Sequence, residues 1–195
     1  MERPAKIGMD GSGVRIEDLL DSHEFRARPQ RKTEPGRESA ALGRLEECLT
    51  QNPHSALEEL VQIAIDSCPA DSSGISLEEE NLQGELQFRW VAVAGSFAKY
   101  LNGTTPRFYS PCGTCLDRGM PQLYQVHDPY YNFLGVTAEP ILDGILIPWR
   151  AAKSQGTLWL VSHQTNLAFD MSDYKLIRTI ANFASEAMEN FSRKA

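Results

Sequence analysis

The stretch from Asp170 onward is apolar over too wide an arc to lie on a surface. Asp170 can cap a helix there, and Leu176, Ile180, Phe183, Ala187 and Phe191 recur along one stripe. Ile177, Ala181, Ala184 and Met188 line a second stripe beside it. A helix with so broad an apolar face buries two sides. One side can cover a sheet; the other can meet a second helix, from this chain or from a twin subunit. The rest of the chain therefore has to supply a sheet for this helix to cover.

The upstream pattern supplies both a sheet and more helices. Leu42, Leu45 and Leu49 recur at helical spacing, and Asn52-Pro53 breaks that helix. Ser55-Ala56-Leu57-Glu58 reads as a capping box opening a second helix, with Leu57, Leu60, Val61, Ala64 and Cys68 as its stripe. Cys48 and Cys68 then read as packed core thiols. Ile75 and Leu77 alternate with Ser76 and Glu78, predicting a strand. Asn81 to Glu85 is a hairpin loop, and the return strand should carry Phe88, Trp90 and Ala92 on one face. Phe97 to Leu101 reads as a short helical turn. Gln122-Leu123-Tyr124 is a short strand, and Gln125 to Pro140 reads as a long loop of the kind that forms lids. Ile145 to Trp149 and Gly156 to His163 make a second antiparallel pair, with a bulge or exposed edge at Pro148. Trp90, Trp149 and Trp159 fall on strands, where core or pocket wall are both natural roles.

Residues 1–37 are rich in Arg, Pro, Gly and Glu and read as a flexible N-terminal arm, with at most a helical turn or two at Val14 to Leu20. The arm holds eight Lys/Arg against seven Asp/Glu, which leaves eleven basic against nineteen acidic groups in residues 38–195. An acidic globular part gives no electrostatic reason to bind a phosphate backbone, so nucleic acid is not an expected partner. No apolar run approaches the ~20 residues that span a bilayer. No apolar signal-peptide centre follows Met1, so no membrane association and a cytoplasmic location are expected. Four cysteines in such a chain argue against a disulfide framework.

Pro106 to Gly119 is the densest segment chemically. Ser110 is a good N-cap, Pro111 falls at the first helical position, and Gly119 is a natural stop. Cys112 and Gly113 then sit in a first turn that favours anions and lowers a thiol pKa. The Cys112–Cys115 pair has three readings: packed fold element, thiol redox switch, or half of a metal site. A metal would need two more ligands, and only His127 lies near in sequence. Arg107 and Arg118 flank the helix and could meet an anionic ligand, or simply be solvated. His163 reads as a hydrogen-bonded strand-end residue. There is no phosphate-binding glycine loop, nucleophile elbow or zinc-hydrolase helix, so no catalytic or metal residues are assigned and an enzyme is not expected.

Two helices, a hairpin, an irregular middle, a second hairpin and a closing helix is the element order of GAF domains. Ala70-Asp71-Ser72-Ser73-Gly74-Ile75-Ser76-Leu77, Phe88-Arg89-Trp90-Val91-Ala92, Ser110-Pro111-Cys112-Gly113, Gly156-Thr157-Leu158-Trp159-Leu160-Val161-Ser162-His163 and Phe169-Asp170 resemble GAF domains found beside bacterial sensor histidine kinases. The resemblance covers roughly residues 38–193. It implies an α+β fold: a central antiparallel sheet with the N- and C-terminal helices on one face, often paired into a dimer, and an irregular pocket-forming segment on the other. Residues 106–135 would roof a pocket for an unidentified small molecule. The expected ligand-binding residues are Trp90, Arg107, Ser110, Cys112, Gly113, Cys115 and Trp159.

The chain departs from the better-known ligand classes of that family. Bilin-binding relatives carry a Cys-His dipeptide or a similarly placed lone Cys, whereas Cys112 precedes Gly113 and Cys115 precedes Leu116 here, so a covalent tetrapyrrole is not expected. The dispersed cyclic-nucleotide signature of phosphodiesterase relatives is not found. The Ala-Cys-Asp segment of GAF-fold reductases of free methionine sulfoxide has no counterpart in Gln125 to Pro140. No output segment follows Ala195, so the expectation is a homodimeric sensory module acting through a histidine kinase or other signalling protein. The alternative is a thiol switch or reductase using Cys112 and Cys115.

Overall fold

The computed structural model describes residue 8 and residues 11–32, 35–51 and 55–194. Among these, a seven-stranded sheet runs in the spatial order β1-β5-β6-β7-β2-β3-β4, with every neighbouring pair antiparallel. The strands are β1 (Val14–Asp18), β2 (Ser72–Glu80), β3 (Leu86–Gly95), β4 (Thr104–Pro106), β5 (Gln122–Val126), β6 (Ile141–Arg150) and β7 (Gln155–Ser162). The helices are α1 (His23–Arg26), α2 (Arg37–Gln51), α3 (Ala56–Ser67), α4 (Pro111–Arg118), α5 (Asp128–Leu134) and α6 (Met171–Lys194).

Side chains alternate between the faces of a strand, and this sheet uses both. Ile75, Ile145, Ile147, Leu158 and Leu160 are buried on the face covered by α2, α3 and α6. Phe88, Tyr124, Leu146, Trp159 and Val161 are buried on the other face, under the middle segment. The helical hairpin α2–α3 and the closing helix thus occupy one side, as the α+β reading expects.

A β-bulge corrects the expected facing of the third strand. Ile75 pairs with Ala92 while Ser76 pairs with Trp90, so Val91 is the extra residue. Phe88 and Trp90 point to the middle-segment face, but Ala92 is switched to the helix face. Pro148 pairs with Thr157 without a register shift, and β6 there runs beyond its last partner on β5, Leu146 opposite Gln122. It is a local edge rather than a bulge.

α6 is opened by reciprocal carboxylate caps. Asp170 Oδ1 accepts the N–H groups of Ser172 and Asp173 at 2.8 and 3.2 Å, and Asp173 Oδ2 accepts the Asp170 N–H at 3.0 Å. Leu176, Ile180 and Ala187 of one stripe and Ile177, Ala181, Ala184 and Met188 of the other are buried, Phe183 is half-buried, and the helix packs on β6, β7 and α3 of the same chain. The side chain of Phe191 and the break at Asn52-Pro53 lie outside the described residues. At α3, Ser55 is the N-cap residue but its side chain does not cap, so the expected capping box is not made.

Residues 11–32 are not an arm. Val14–Asp18 is an edge strand on β5 rather than a helical turn, and Leu19 and Phe25 are fully buried in the helix-side core. Ser22 caps α1 by accepting the Phe25 N–H at 3.2 Å. Arg28 grips Asp143 through two bonds of 2.7 and 3.1 Å and also donates to the Phe169 carbonyl at 2.9 Å. Arg31 and Arg37 both pair with Asp173, a fully buried carboxylate at the start of α6. In the sequence these arginines read as part of an exposed arm, because Asp143 and Asp173 lie more than a hundred positions away. Val14 and Ile16 do alternate with Arg15 and Glu17, the one local hint of a strand.

Because Phe25 is integral to the core, Phe25→Ala is expected to lower the unfolding free energy by about 3–5 kcal/mol. Denaturant unfolding would check this, and an unchanged midpoint would mean that the segment is peripheral after all.

Candidate functional site

α4 forms as its punctuation predicts. Ser110 Oγ accepts the Cys112 N–H at 3.2 Å, Pro111 stands in the first turn, and Gly119 closes the helix at φ +63°. Its flanking charges, however, are already spent on one another. Arg107 donates to Glu78 at 2.6 Å and to Asp117 at 2.7 Å. Arg118 donates to Asp18 at 3.0 Å and to Gln122 at 2.9 Å. Neither guanidinium is left to hold an anion. Gly113 is packed against backbone: a Cβ there would lie 2.3 Å from the Arg107 carbonyl oxygen.

The two thiols are buried in a way that reverses the expected shift. Cys112 Sγ lies 3.8 Å from Ser76 Oγ, and Cys115 Sγ lies 3.5 Å from the Met120 carbonyl. Burial pushes the Cys112 thiol up, against weaker opposing contacts from Thr157, Ser110 and Ser76. Burial pushes Cys115 well above the usual thiol range, with Cys112 adding to the effect. Desolvation outweighs the helix N-terminus here. None of the four cysteines forms a disulfide. No cluster of three or more His, Cys, Asp or Glu side chains able to hold a metal occurs among the described residues.

The space that a small molecule could enter lies beside α4. A half-open cavity of about 400 Å³ lies between the sheet, α4, α5 and the turn Ala98–Tyr100. Tyr124, Leu146, Trp159 and Val161 floor it, Trp90, Phe97 and Tyr100 wall it, and Tyr130, Tyr131 and Phe133 descend from α5. Not one described lining residue carries a charge. The rings pack on each other: Trp90 and Trp159 centroids are 5.1 Å apart, Trp90 and Phe97 6.2 Å, Tyr109 and Tyr130 5.4 Å.

Two glycines set the depth of the floor. A Cβ on Gly74 would lie 2.1 Å from the Trp159 ring, and one on Gly144 would lie 2.4 Å from the Tyr124 ring. Without those methyls, both rings lie down against the strands. Trp159 Nε1 is fixed there by donating to Ser76 Oγ at 3.1 Å.

Polar atoms around the cavity are few and neutral. The Tyr100 hydroxyl donates to the Thr137 carbonyl at 2.8 Å and the Tyr131 hydroxyl to the Glu139 carbonyl at 3.0 Å. Burial raises the pKa of Tyr124, Tyr130 and Tyr131 alike, so all three stay protonated.

Of the residues expected to bind ligand, Trp90, Ser110, Cys112 and Trp159 reach the cavity. Arg107, Gly113 and Cys115 do not: the first is ion-paired, the second abuts backbone, and the third is sealed beneath α4. The stretch Gln125 to Pro140 is not a plain loop, because it contains α5, which carries Tyr130, Tyr131 and Phe133 into the site. Its signal was present: Pro129 in the first turn and Gly135 as a stop at φ +68° repeat the punctuation of α4. His163 is a strand-end residue as expected, with Nδ1 2.9 Å from the Pro140 carbonyl and Nε2 3.1 Å from Ser96 Oγ. Cys68 is packed in the helix-side core and Cys48 against it. Trp149 is buried there as well, and its Nε1 has no partner among the described residues.

Structures that superpose on this one over most of the chain identify the architecture. The GAF domain of a phosphoenolpyruvate-protein phosphotransferase from Acinetobacter matches with a TM-score of 0.62 at 11% identity, covering 83% of this chain and 98% of its own. The free methionine-R-sulfoxide reductase of Neisseria meningitidis, in complex with its substrate, matches with a TM-score of 0.64 at 13% identity, covering 87% and 99%. The phytochrome photosensory core module of Stigmatella aurantiaca matches with a TM-score of 0.58 at 12% identity, covering 82% of this chain and 38% of its own. No protein-family model and no curated protein matches the sequence. The chain has the GAF fold. That fold is shared by sensor domains and by a reductase, so it does not by itself assign an activity.

Gly144→Ala should force the Tyr124 ring off the strand into the cavity, costing about 1–3 kcal/mol. A crystal structure of the variant with an unmoved ring would count against this account of the floor. In the native protein at pH 8, Cys115, sealed beneath α4, should resist iodoacetamide until the chain is unfolded; rapid labelling of Cys115 on native protein would show that it is accessible.

Proposed function

We propose that this chain is a sensory or regulatory GAF module of bacterial signal transduction that binds a small molecule in the cavity roofed by residues 106–135. The observation that carries this reading is the aromatic-lined cavity itself. Its ~400 Å³ lie within the range of small-molecule sites, roughly 300–1,000 Å³. Its walls are mostly apolar with a few convergent neutral polar groups, as such sites are.

In this reading the signal leaves through the helix layer of a homodimer, and a histidine kinase or another signalling protein in the cytoplasm receives it. Leu42 and Leu49 of α2 are only half-buried within the chain, which supports a seam for a second copy. Since α6 is largely buried against the sheet and α3, the seam would lie chiefly along α2. Ligand would act by favouring one packing of that seam over another. Among the described residues, no helix is long and apolar enough to cross a membrane.

The alternative, a thiol switch or reductase using Cys112 and Cys115, has the fold of a known reductase behind it. Two buried thiols with raised pKa values make it the weaker reading, because the thiolate is the reactive form.

Native mass spectrometry of freshly purified protein is expected to show a dimer carrying a small-molecule adduct. A bare monomer that also takes up nothing from a deproteinised cell extract would overturn the sensory reading. Loss of both thiols together under mild peroxide, with a mass decrease matching one disulfide, would favour the redox alternative instead.

A further inference from the structure

We propose that the cavity selects an uncharged, flat aromatic molecule of bicyclic size that carries a hydrogen-bond acceptor, and that the Tyr124 hydroxyl donates to that acceptor. The proposal rests on the sensory reading above and narrows it to a chemical class.

Charge is excluded by the lining. Among the described residues, no Asp, Glu, Lys, Arg or His lines the cavity. The arginines nearest in sequence to α4 are each held by a carboxylate elsewhere. The first turn of α4 offers little to an anion, because the Cys112 N–H is taken by Ser110 Oγ. Burying a carboxylate, phosphate or ammonium here would leave it without a counter-charge, at a large desolvation cost.

Shape and size favour a ring system. An apolar cavity of roughly 150 Å³ holds one benzene ring. The ~400 Å³ here leave room for a second, fused ring. Trp90, Phe97 and Trp159 present rings to it from several angles, which suits offset and edge-on contacts with a flat aromatic guest.

The polar requirement comes from Tyr124. It is 5% exposed, lines the cavity, and its hydroxyl has no hydrogen-bond partner among the described residues. Of the other three phenols facing the cavity, Tyr100 and Tyr131 donate to backbone carbonyls. A hydroxyl that faces an apolar cavity without a protein partner gains from an acceptor on the guest. The phenol remains protonated and available as the donor.

Calorimetric titration at pH 8 with four probes tests this: quinoline, naphthalene, N-methylquinolinium and 1-naphthoate. Quinoline is neutral at that pH and bears a ring-nitrogen acceptor; naphthalene has the same shape without it; the other two carry a charge. Quinoline is expected to bind at least tenfold more tightly than each of the other three. Tyr124→Phe should bring quinoline down to the affinity of naphthalene and leave naphthalene unchanged, with the thermal midpoint confirming that the variant folds. Ala138→Trp, at a partly exposed lining position, should abolish quinoline binding and serves as the second variant should Tyr124→Phe fail to fold. Binding of N-methylquinolinium or 1-naphthoate as tight as that of quinoline overturns the charge selection. Quinoline no tighter than naphthalene, or unaffected by Tyr124→Phe, overturns the role of Tyr124. Quinoline binding that survives Ala138→Trp overturns the location. If no probe binds but native mass spectrometry shows a copurified adduct, the ligand class is wrong and the sensory reading stands. If no probe binds and no adduct appears, both fall.

Discussion

The architecture depends on one sheet having two unlike faces. On one side, aliphatic residues such as Ile145, Leu158 and Leu160 pack against helices. On the other, large rings cover the strands but are roofed by short helices that do not fill the volume above them. Strand alternation sets up this division, and the extra residue Val91 adjusts it within β3. The bulge lets Trp90 face the cavity while Ala92 faces α3, a combination that strict alternation forbids.

Much of this was legible in the sequence. The two apolar stripes of α6, the β2–β3 hairpin and the start and stop of α4 rest on local periodicity and punctuation, and the structure bears them out. What could not be read is nonlocal. Nothing near Arg28 points to Asp143, and nothing near Arg31 or Arg37 points to Asp173, so a segment fastened by ion pairs read as a free arm. A bulge needs a partner strand to define it. The site divides in the same way: the ring-bearing strand residues Trp90 and Trp159 and the cap Ser110 could be placed, whereas Arg107, Gly113 and Cys115 owe their roles to contacts outside their own segment.

The cysteine pair illustrates how competing terms are ranked. A helix N-terminus lowers a thiol pKa by a modest electrostatic effect, strongest when the sulfur is near water and charge. Full burial under α4, with hydroxyl and carbonyl neighbours, raises it by more. The motif is a packing solution: small polarizable side chains fill the gap between a short helix and the sheet. The chemistry of this face lies instead in its phenols and indoles.

The N-terminal stretch joins what the sheet separates. On the cavity side, the Ser12 carbonyl accepts the Tyr109 hydroxyl at 3.1 Å, and the Gly13 carbonyl accepts the His127 N–H, just ahead of α5, at 2.8 Å. A few residues later the same stretch has passed to the helix side, where Phe25 enters the core and Arg28 binds Asp143. Sheets are stiff across their hydrogen-bonded ladders, so one face ordinarily learns little of a small shift on the other. Here the polypeptide itself laces roof to base around the sheet edge. The two faces of the domain share a tether, and its length and fit belong to the mechanics of the roof as much as any residue inside the cavity.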